Sequence, residues 1–395
     1  MFDALPEPVR ALLDTLALAG HEAVLVGGCV RDRARGAPVH DWDVATSAAP
    51  EELLALFPRA VPIGLRFGTV MVPTASGPVD VTRFRGPTLR DDLARRDFTL
   101  NAVAWDPRTR AAVDPFGGLA DLAARRLVAV GRAEDRLAED PLRALRAARI
   151  AAELSLAIDP ALEAALPAQA AALPQLAPER VRAELERLLV APAPGPGLAL
   201  LRRSGLEAVL VPGARSDAIA VIGALPPDCA LRWAAWLRGT AVATILARWR
   251  VPRARRQLVE TLLALHPAER AVAEGDAGVR RLRRRAGGEA QLARLLALRE
   301  AECGAGAVSD ADAVRVGLAA LRERLARTQA QAVARAELAL SGAEVMACLG
   351  VGPGPRVGAA LGHLLERVLE DPGENTPERL RAALLRWSEA TPKPR

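Results

Sequence analysis

Asp41 and Asp43 stand two apart in "HDWDVATS", an apolar-flanked stretch that reads as a strand. Side chains two apart on a strand share a face, so the two carboxylates point together and Trp42 points the other way. Adjacent carboxylates repel unless a cation lies between them, and oxygen ligands beside a phosphate site favour Mg²⁺. A pair of acids decorating a turn is the plainer alternative. Upstream, "LVGGCVRD" carries Gly27 and Gly28 from a strand to the start of a helix. There the backbone can approach a ligand closely, the first amides favour an anion, and Arg31, one turn on, can reach a phosphate. A tight strand-to-helix turn explains the same string with no ligand. Asp80 in "PVDVTRF" is an apolar-flanked acid on a later strand: a third carboxylate of the group, or an acid on an edge strand. A glycine turn followed by paired acids on the next strand suits nucleotidyl transfer.

Two more stretches carry polar chemistry. In "AEDPLRALRAARIAAEL", Asp140 and Arg143 are three apart, neighbours on one helix face. An acceptor beside a donor fork can match the hydrogen-bonding edge of a base, and a structural ion pair is the competing reading. In "RRDFTLNA", Arg95 and Arg96 either face a ligand or pair with Asp91 or Asp92, and Asn101 can cap a turn.

The elements that must position these residues form a mixed α/β region to about residue 120. Residues 8–20 read as a helix, "EAVLVGG" as a strand, and "SAAPEELLALF" as a helix with Pro50 and two glutamates in its first turn. "TVMVPT" and "VDVTRFR" read as a hairpin across "ASGP". From about residue 133, Ala, Leu, Arg and Glu recur at helical spacing and strand signals fade. "APAPGPG" (191–197) reads as a linker or rigid turn, and "GVGPGPRVG" (350–358) as a turn between helices.

A chain of 395 residues exceeds one small core, and 51% hydrophobic with 25% charged residues is a globular composition. No apolar run approaches a membrane span, and the start lacks a signal-peptide core, so a cytoplasmic protein is expected. Net charge is +6, which permits a polyanionic partner, yet Lys393 is the only lysine and the arginine richness reads equally as genome composition. "RRLRRRAGG" (280–288) is either an RNA-backbone contact or a solvated helix end. Tyrosine is absent and aromatics are 3%, which argues against extensive base stacking. Cys29, Cys229, Cys303 and Cys348 lie far apart without metal-ligand spacing and are expected as buried free thiols.

The run "LVGGCVRDRARGAPVHDWDVATSAAPEELLALF" resembles the first motif of class II tRNA nucleotidyltransferases (CCA-adding enzymes) and bacterial poly(A) polymerases. "VDVTRFR", "RRDFTLNAVAWDP", "DPFGGLADLAARRLVAVG" and "AEDPLRALRAARIAAEL" follow in the family's order, densely from about residue 22 to 155. The resemblance implies an α/β head of polymerase-β-like type followed by an all-α neck, body and tail. Applied here, residues 1–125 would be the head, 126–190 a neck that recognises the base, and 191–395 a tRNA-binding body and tail. It implies CTP and ATP as donors, the tRNA 3′ end as acceptor, Mg²⁺ as cofactor and no DNA. Asp41 and Asp43 would hold metal, with Asp80 as a third catalytic acid. Gly27, Gly28, Arg31 and Arg96 would contact the nucleotide. Asp140 and Arg143 would bond the base, with Arg146 and Arg149 lining the same pocket. Poly(A) polymerase and a non-catalytic RNA-binding relative are the alternatives. The mixed tail disfavours the first, and the retained acids disfavour the second. One departure stands out: only "GPTLR" (86–90) separates Arg85 from Asp91, where relatives that add the whole CCA carry a long loop. The shortened form resembles enzymes that add CC alone.

Overall fold

The computed structural model describes residues 5–64, 68–331 and 334–391. The first four residues and Lys393 therefore lie outside the described residues. The chain divides into two compact units, 1–212 and 213–395.

In chain order the first unit comprises α1 (Glu7–Leu18), β1 (Ala23–Val26), α2 (Gly28–Ala34), β2 (Trp42–Thr46), α3 (Pro50–Leu56), β3 (Val61–Gly64), β4 (Thr69–Thr74), β5 (Gly77–Arg83), α4 (Leu89–Ala94), β6 (Ala104–Asp106), β7 (Ala111–Val113) and α5 (Gly118–Ala123). It continues through β8 (Arg126–Leu127), α6 (Ala133–Glu139), α7 (Leu142–Leu154), β9 (Ala157–Ile158), α8 (Pro160–Ala165), α9 (Pro178–Val190), α10 (Pro194–Arg203) and α11 (Leu206–Leu210). Among the described residues, seven strands form one sheet in the order β3-β4-β5-β2-β1-β6-β7. Only the β2–β5 pairing in it is parallel, and it sets Asp43 opposite Asp80. Period-two alternation then separates two layers. Leu25, Val44, Val70, Val72, Val79, Val81 and Trp105 pack with residues of α1, α2 and α3, while Val24, Val26, Ala45 and Phe84 pack with Leu89 and Leu93 of α4. Asp43 and Asp80 share the second face, between residues that α4 covers. Trp42 turns to the first, as its spacing predicts.

The β4–β5 hairpin forms across Ala75 and Ser76 as expected. The "APAPGPG" stretch does not behave as a linker: Pro194 opens α10, and the helix runs on through both glycines. Proline in a first helical turn forfeits no hydrogen bond, which is why a string that looks like a break can start a helix. Gly197 is needed there for closeness, since a Cβ would stand 2.3 Å from the Ala148 carbonyl oxygen of α7.

The second unit is helical: α12 (Ala218–Ala224), α13 (Cys229–Leu237), α14 (Val242–Arg248), α15 (Arg253–Leu265), α16 (Gly275–Ala286), α17 (Glu289–Gly304), α18 (Ala311–Arg327), α19 (Gly342–Leu349), α20 (Pro355–Glu370) and α21 (Pro377–Ala390). "GVGPGPRVG" is the expected turn, with Gly350 in the left-handed region at the end of α19 and Pro355 starting α20. Trp233, Trp236 and Trp249 are fully buried, so these three offer no stacking surface to a base. Cys29 and Cys303 are buried free thiols, but Cys229 is half-buried and Cys348 exposed, against the expectation for all four. Both outliers sit on α13 and α19, where the small side chain is tolerated away from the core.

Candidate active site

Strand β1 runs into Gly27 with φ of 73°, in the left-handed region where glycine is favoured. The turn is also close-packed: a Cβ would stand 2.9 Å from Arg96 Nη1, which would have to shift, and 3.5 Å from Asp43 Oδ2. That one position therefore brings the glycine turn, the acid strand and the "RRD" arginine together. Gly27, Gly28, Arg31, Asp41, Asp43, Arg96, Arg143, Arg146 and Arg149 all line one cavity of about 440 Å³. A second cavity of about 940 Å³ shares Asp43, Arg85, Arg96, Arg143 and Arg146 with it and adds Asp140 and Arg180.

Asp41 is exposed just before β2, and Asp43 is half-buried within it. Burial pushes the Asp43 carboxyl up to about 6; Arg96 pulls it down, and Asp80 and Asp41 push it up again. Asp80 is raised by burial and then by Asp41. Asp41 thus raises both Asp43 and Asp80, and the repulsion among these carboxylates is what a divalent cation would relieve. Among the described residues no three His, Cys, Asp or Glu side chains form a closed metal site by themselves. A cation here would complete its coordination from substrate phosphates and water, as Mg²⁺ does at phosphoryl-transfer sites. Beneath the acids, burial pushes the Cys29 thiol up to about 11, and its Sγ donates to the Val26 carbonyl oxygen at 3.1 Å. It is inert packing.

The arginines are held by acids, of which the sequence pointed only to Asp92. Arg31 donates through Nε and Nη2 to Asp32, each at 3.0 Å, and through Nη1 to Asn101 Oδ1 at 2.8 Å. Asn101 is thus a tether for Arg31 rather than a turn cap, and its amide nitrogen donates to Asp97 at 3.0 Å. Arg96 pairs with Asp92 at 3.1 Å, so the ion-pair reading and the cavity reading both hold for it. Arg146 reaches Asp97 at 3.4 Å and Glu184 at 3.3 Å, and Arg149 reaches Glu184 and Glu153 at 2.6 Å each. Burial pushes Asp97 up, but Arg146, the Asn101 amide and the Phe98 N–H outweigh it and hold the carboxyl low. Glu184 left a trace in the sequence: it falls on the buried stripe Val181, Leu185, Leu188 of α9, where an unpaired acid would be costly.

Asp140 and Arg143 are placed differently from the expectation of one helix face. Asp140 is extended, in the connection between α6 and α7, because Pro141 starts the next helix. Its Oδ2 accepts from Arg180 at 2.8 Å and its Oδ1 from the Leu142 N–H at 3.1 Å. Arg143 donates to Glu139 at 2.8 Å and to the carbonyls of Arg136 and Arg95 at 2.7 and 3.0 Å. Their side chains therefore do not pair, although the Arg143 N–H donates to the Asp140 carbonyl at 2.9 Å, and both line the larger cavity.

The basic run 280–285 is mostly committed within its own unit. Arg280 is buried and donates to the carbonyls of Leu369 and Glu370 at the end of α20, at 2.6 and 2.8 Å. Arg283 is buried and donates to the Thr328 carbonyl at 2.5 Å. Arg281 and Arg284 pair with Glu366, and Arg281 also with Glu370. Arg280 and Arg283 are structural caps, neither RNA contacts nor solvated residues.

Residues 23–128 match the family model of the poly A polymerase head domain, 155–217 that of the "Probable RNA and SrmB-binding site of polymerase A", and 229–384 that of tRNA nucleotidyltransferase domain 2. The CCA-adding enzyme of Levilactobacillus brevis is 33% identical over 96% of this chain and 97% of its own length. The CC-adding tRNA nucleotidyltransferase of Shouchella clausii is 39% identical over 62% of this chain, and that match spans 66% of the relative. The match to the Lactiplantibacillus plantarum CCA-adding enzyme is 41% identical and spans 51% of the relative. Among solved structures, the Bacillus stearothermophilus CCA-adding enzyme in complex with CTP superposes with a TM-score of 0.77 at 30% identity, over 98% of this chain and 99% of that one. Use of a divalent cation goes with this nucleotidyltransferase group, and among the described residues no helix is long and apolar enough to cross a membrane. From the glycine turn to the helical second half, the chain belongs to the class II CCA-adding tRNA nucleotidyltransferases.

Proposed function

We propose that this chain transfers CMP, and in the full reaction AMP, from CTP and ATP to the 3′ end of tRNA without a template, releasing pyrophosphate. The observation that carries this reading is Asp43 beside Gly27 and Arg96, in a cavity that Asp41 and the α7 arginines also line, with Asp80 opposite Asp43 on β5 but outside the cavity lining. In it, Asp41 and Asp43 would hold Mg²⁺, and Asp80 would add charge from the neighbouring strand. A cation bound there would supply Lewis acidity for the attacking 3′-hydroxyl and for the departing pyrophosphate. The protein's own part is positioning and charge neutralisation. Gly27 and Gly28 let the triphosphate approach the backbone, and Arg31 and Arg96 balance its charge. Asp140 and Arg143 face the base edge, one accepting and one donating, with Arg146 and Arg149 beside them. Residues 1–125 thus act in transfer, 126–190 in base choice and 191–395 in holding tRNA, in the cytoplasm. The test is incubation with tRNA ending at its discriminator base, Mg²⁺ and each labelled nucleotide, read as product length on a gel. No extension with any nucleotide would sink the reading.

CC addition alone is the second reading, and one feature favours it. Between β5 and α4 only residues 84–88 intervene, closed by a capping box: the Thr88 side chain accepts from the Asp91 N–H, and Asp91 in turn accepts from the Thr88 N–H at 3.1 Å. Such a turn leaves no lever to reshape the pocket for a second base. Its terminal A would come from a second nucleotidyltransferase. Efficient three-nucleotide extension with CTP and ATP together would exclude it.

A further inference from the structure

Arg85 has two terminal nitrogens with no hydrogen-bond partner among the described residues, and it lines both cavities. It lies two residues past β5 and is anchored from behind. Its main-chain N–H and its Nε both donate to Asp92 Oδ1, at 3.2 and 3.0 Å. The other oxygen of Asp92 takes Nε and Nη2 of Arg96, at 3.2 and 3.1 Å. Burial pushes the Asp92 carboxyl up, yet Arg96 and Arg85 outweigh it and hold the group below its ordinary value. Asp92 is therefore a charged anchor, 1% exposed. The chain after Arg85 is equally fixed: a Cβ at Gly86 would stand 2.5 Å from Asp91 Cβ. Arg31, by contrast, has Nε and both terminal nitrogens engaged by Asp32 and Asn101.

We propose that Arg85 is a substrate-binding residue that donates its two terminal nitrogens to a phosphate at the junction of the two cavities. Its Nε is fixed by Asp92 and its backbone by the short turn, so little side-chain entropy is lost when the fork meets an oxyanion. The assignment rests on the nucleotidyl-transfer reading above. The phosphate belongs to the donor triphosphate or to the end of the RNA acceptor, and the two are separable by experiment.

The experiment compares the full chain with Arg85→Ala and Arg85→Lys. Calorimetry measures binding of inorganic tripolyphosphate and of tRNA lacking its 3′ end, and steady-state assays give KM for CTP and for tRNA. Loss of a charge-assisted bidentate contact is expected to weaken one ligand about tenfold or more. A donor contact shows as weaker tripolyphosphate and higher KM for CTP; an acceptor contact shows as weaker tRNA and higher KM for tRNA. Arg85→Lys recovers part of the loss, because it keeps the charge but not the fork. If Arg85→Ala melts early, Arg85→Gln, which keeps an N–H for Asp92, carries the comparison. Binding and KM for both ligands within about twofold of the unaltered chain would overturn the proposal. Absent transfer by the unaltered chain, with tripolyphosphate binding still sensitive to Arg85, would instead sink the functional reading and leave the anion contact standing.

Discussion

Arginines crowd two places in this chain, and the cavity's Arg96, Arg146 and Arg149 are held differently from the two buried arginines of α16. Around the cavity of the first unit, Arg96, Arg146 and Arg149 rest on the carboxylates of Asp92, Asp97, Glu184 and Glu153. Along α16 of the second unit, the buried Arg280 and Arg283 rest chiefly on main-chain carbonyls at the C-terminal ends of α20 and α18, with Gln331 and Glu289 beside them. A carboxylate engages part of a guanidinium and orients the remainder toward open space. Carbonyls at a helix end are orphaned acceptors inside the protein, and an arginine that satisfies them is consumed as a cap. The denser basic string, "RRLRRR", is therefore the poorer place to seek an anion. Pairing decides function where density does not.

The comparison breaks most visibly at the acids. Asp43→Ala is expected to lower transfer by roughly a thousandfold or more, the scale of losing a group that organises charge in the transition state. Its melting temperature should stay or rise, because a repelling carboxyl is gone. A gel assay beside a thermal melt checks both, and near-normal incorporation would remove Asp43 from the metal site. In the second unit, Arg280→Ala should cost about 3 kcal/mol of stability, because two carbonyls lose a buried charged donor. Arg284→Ala, whose pair with Glu366 is exposed, should cost under about 1 kcal/mol. Urea unfolding of the two variants compares them, and equal losses would contradict the capping role.

Smaller effects sharpen the contrast. Asp140→Ala or Arg143→Ala should blur the preference for CTP over UTP and GTP by about 1–3 kcal/mol, the worth of a hydrogen bond to a base edge. Competition assays with paired nucleotides measure it, and unchanged fidelity in both would return the two residues to a structural role. The last test reads pH dependence at Glu302, which accepts from His266 at 2.8 Å, from Arg299 at 2.6 Å and from Arg238 at 2.5 Å. Burial pushes Glu302 up, but the His266 bond and the two arginines outweigh it and hold it at about 2, against an ordinary 4.5. A depressed carboxyl stabilises fully above its unfolded value, so this contribution is intact at pH 7 and drains as pH falls from 4.5 toward 2. Unfolding midpoints of the parent and Glu302→Gln at pH 7 and pH 3 test it. The parent's stability advantage should shrink on acidification, and an advantage that grows would refute the assignment.

Much of the candidate site was legible in the sequence because its signals are short-range. Spacing brought Asp41 and Asp43 to one cavity, although only Asp43 lies within the strand, and the glycine pair marked a turn whose close packing is visible at Gly27. Strand pairing was not local, so the alignment of Asp80 with Asp43 could be raised but not assigned. The supports were hidden for the same reason: Asp97, Glu184 and Arg180 join the site across 35 to 49 residues of chain. Asp140 deceived the three-apart rule because Pro141 ends one helix and begins another beside it. The prolines of 191–197 deceived in the other direction, as helix starters read as a break.

The register of β2 on β5 has a consequence for errors of synthesis. A slip of one residue between these strands would swing Asp43 or Asp80 into the apolar layer and bring Val44 or Val81 toward the cavity. The two acids can then no longer face a common ligand. A head folded out of register would not write wrong letters onto RNA; it would write nothing. For a polymerase that has no template to check its product against, silence is the safer failure, and here the sheet that carries the chemistry also enforces it.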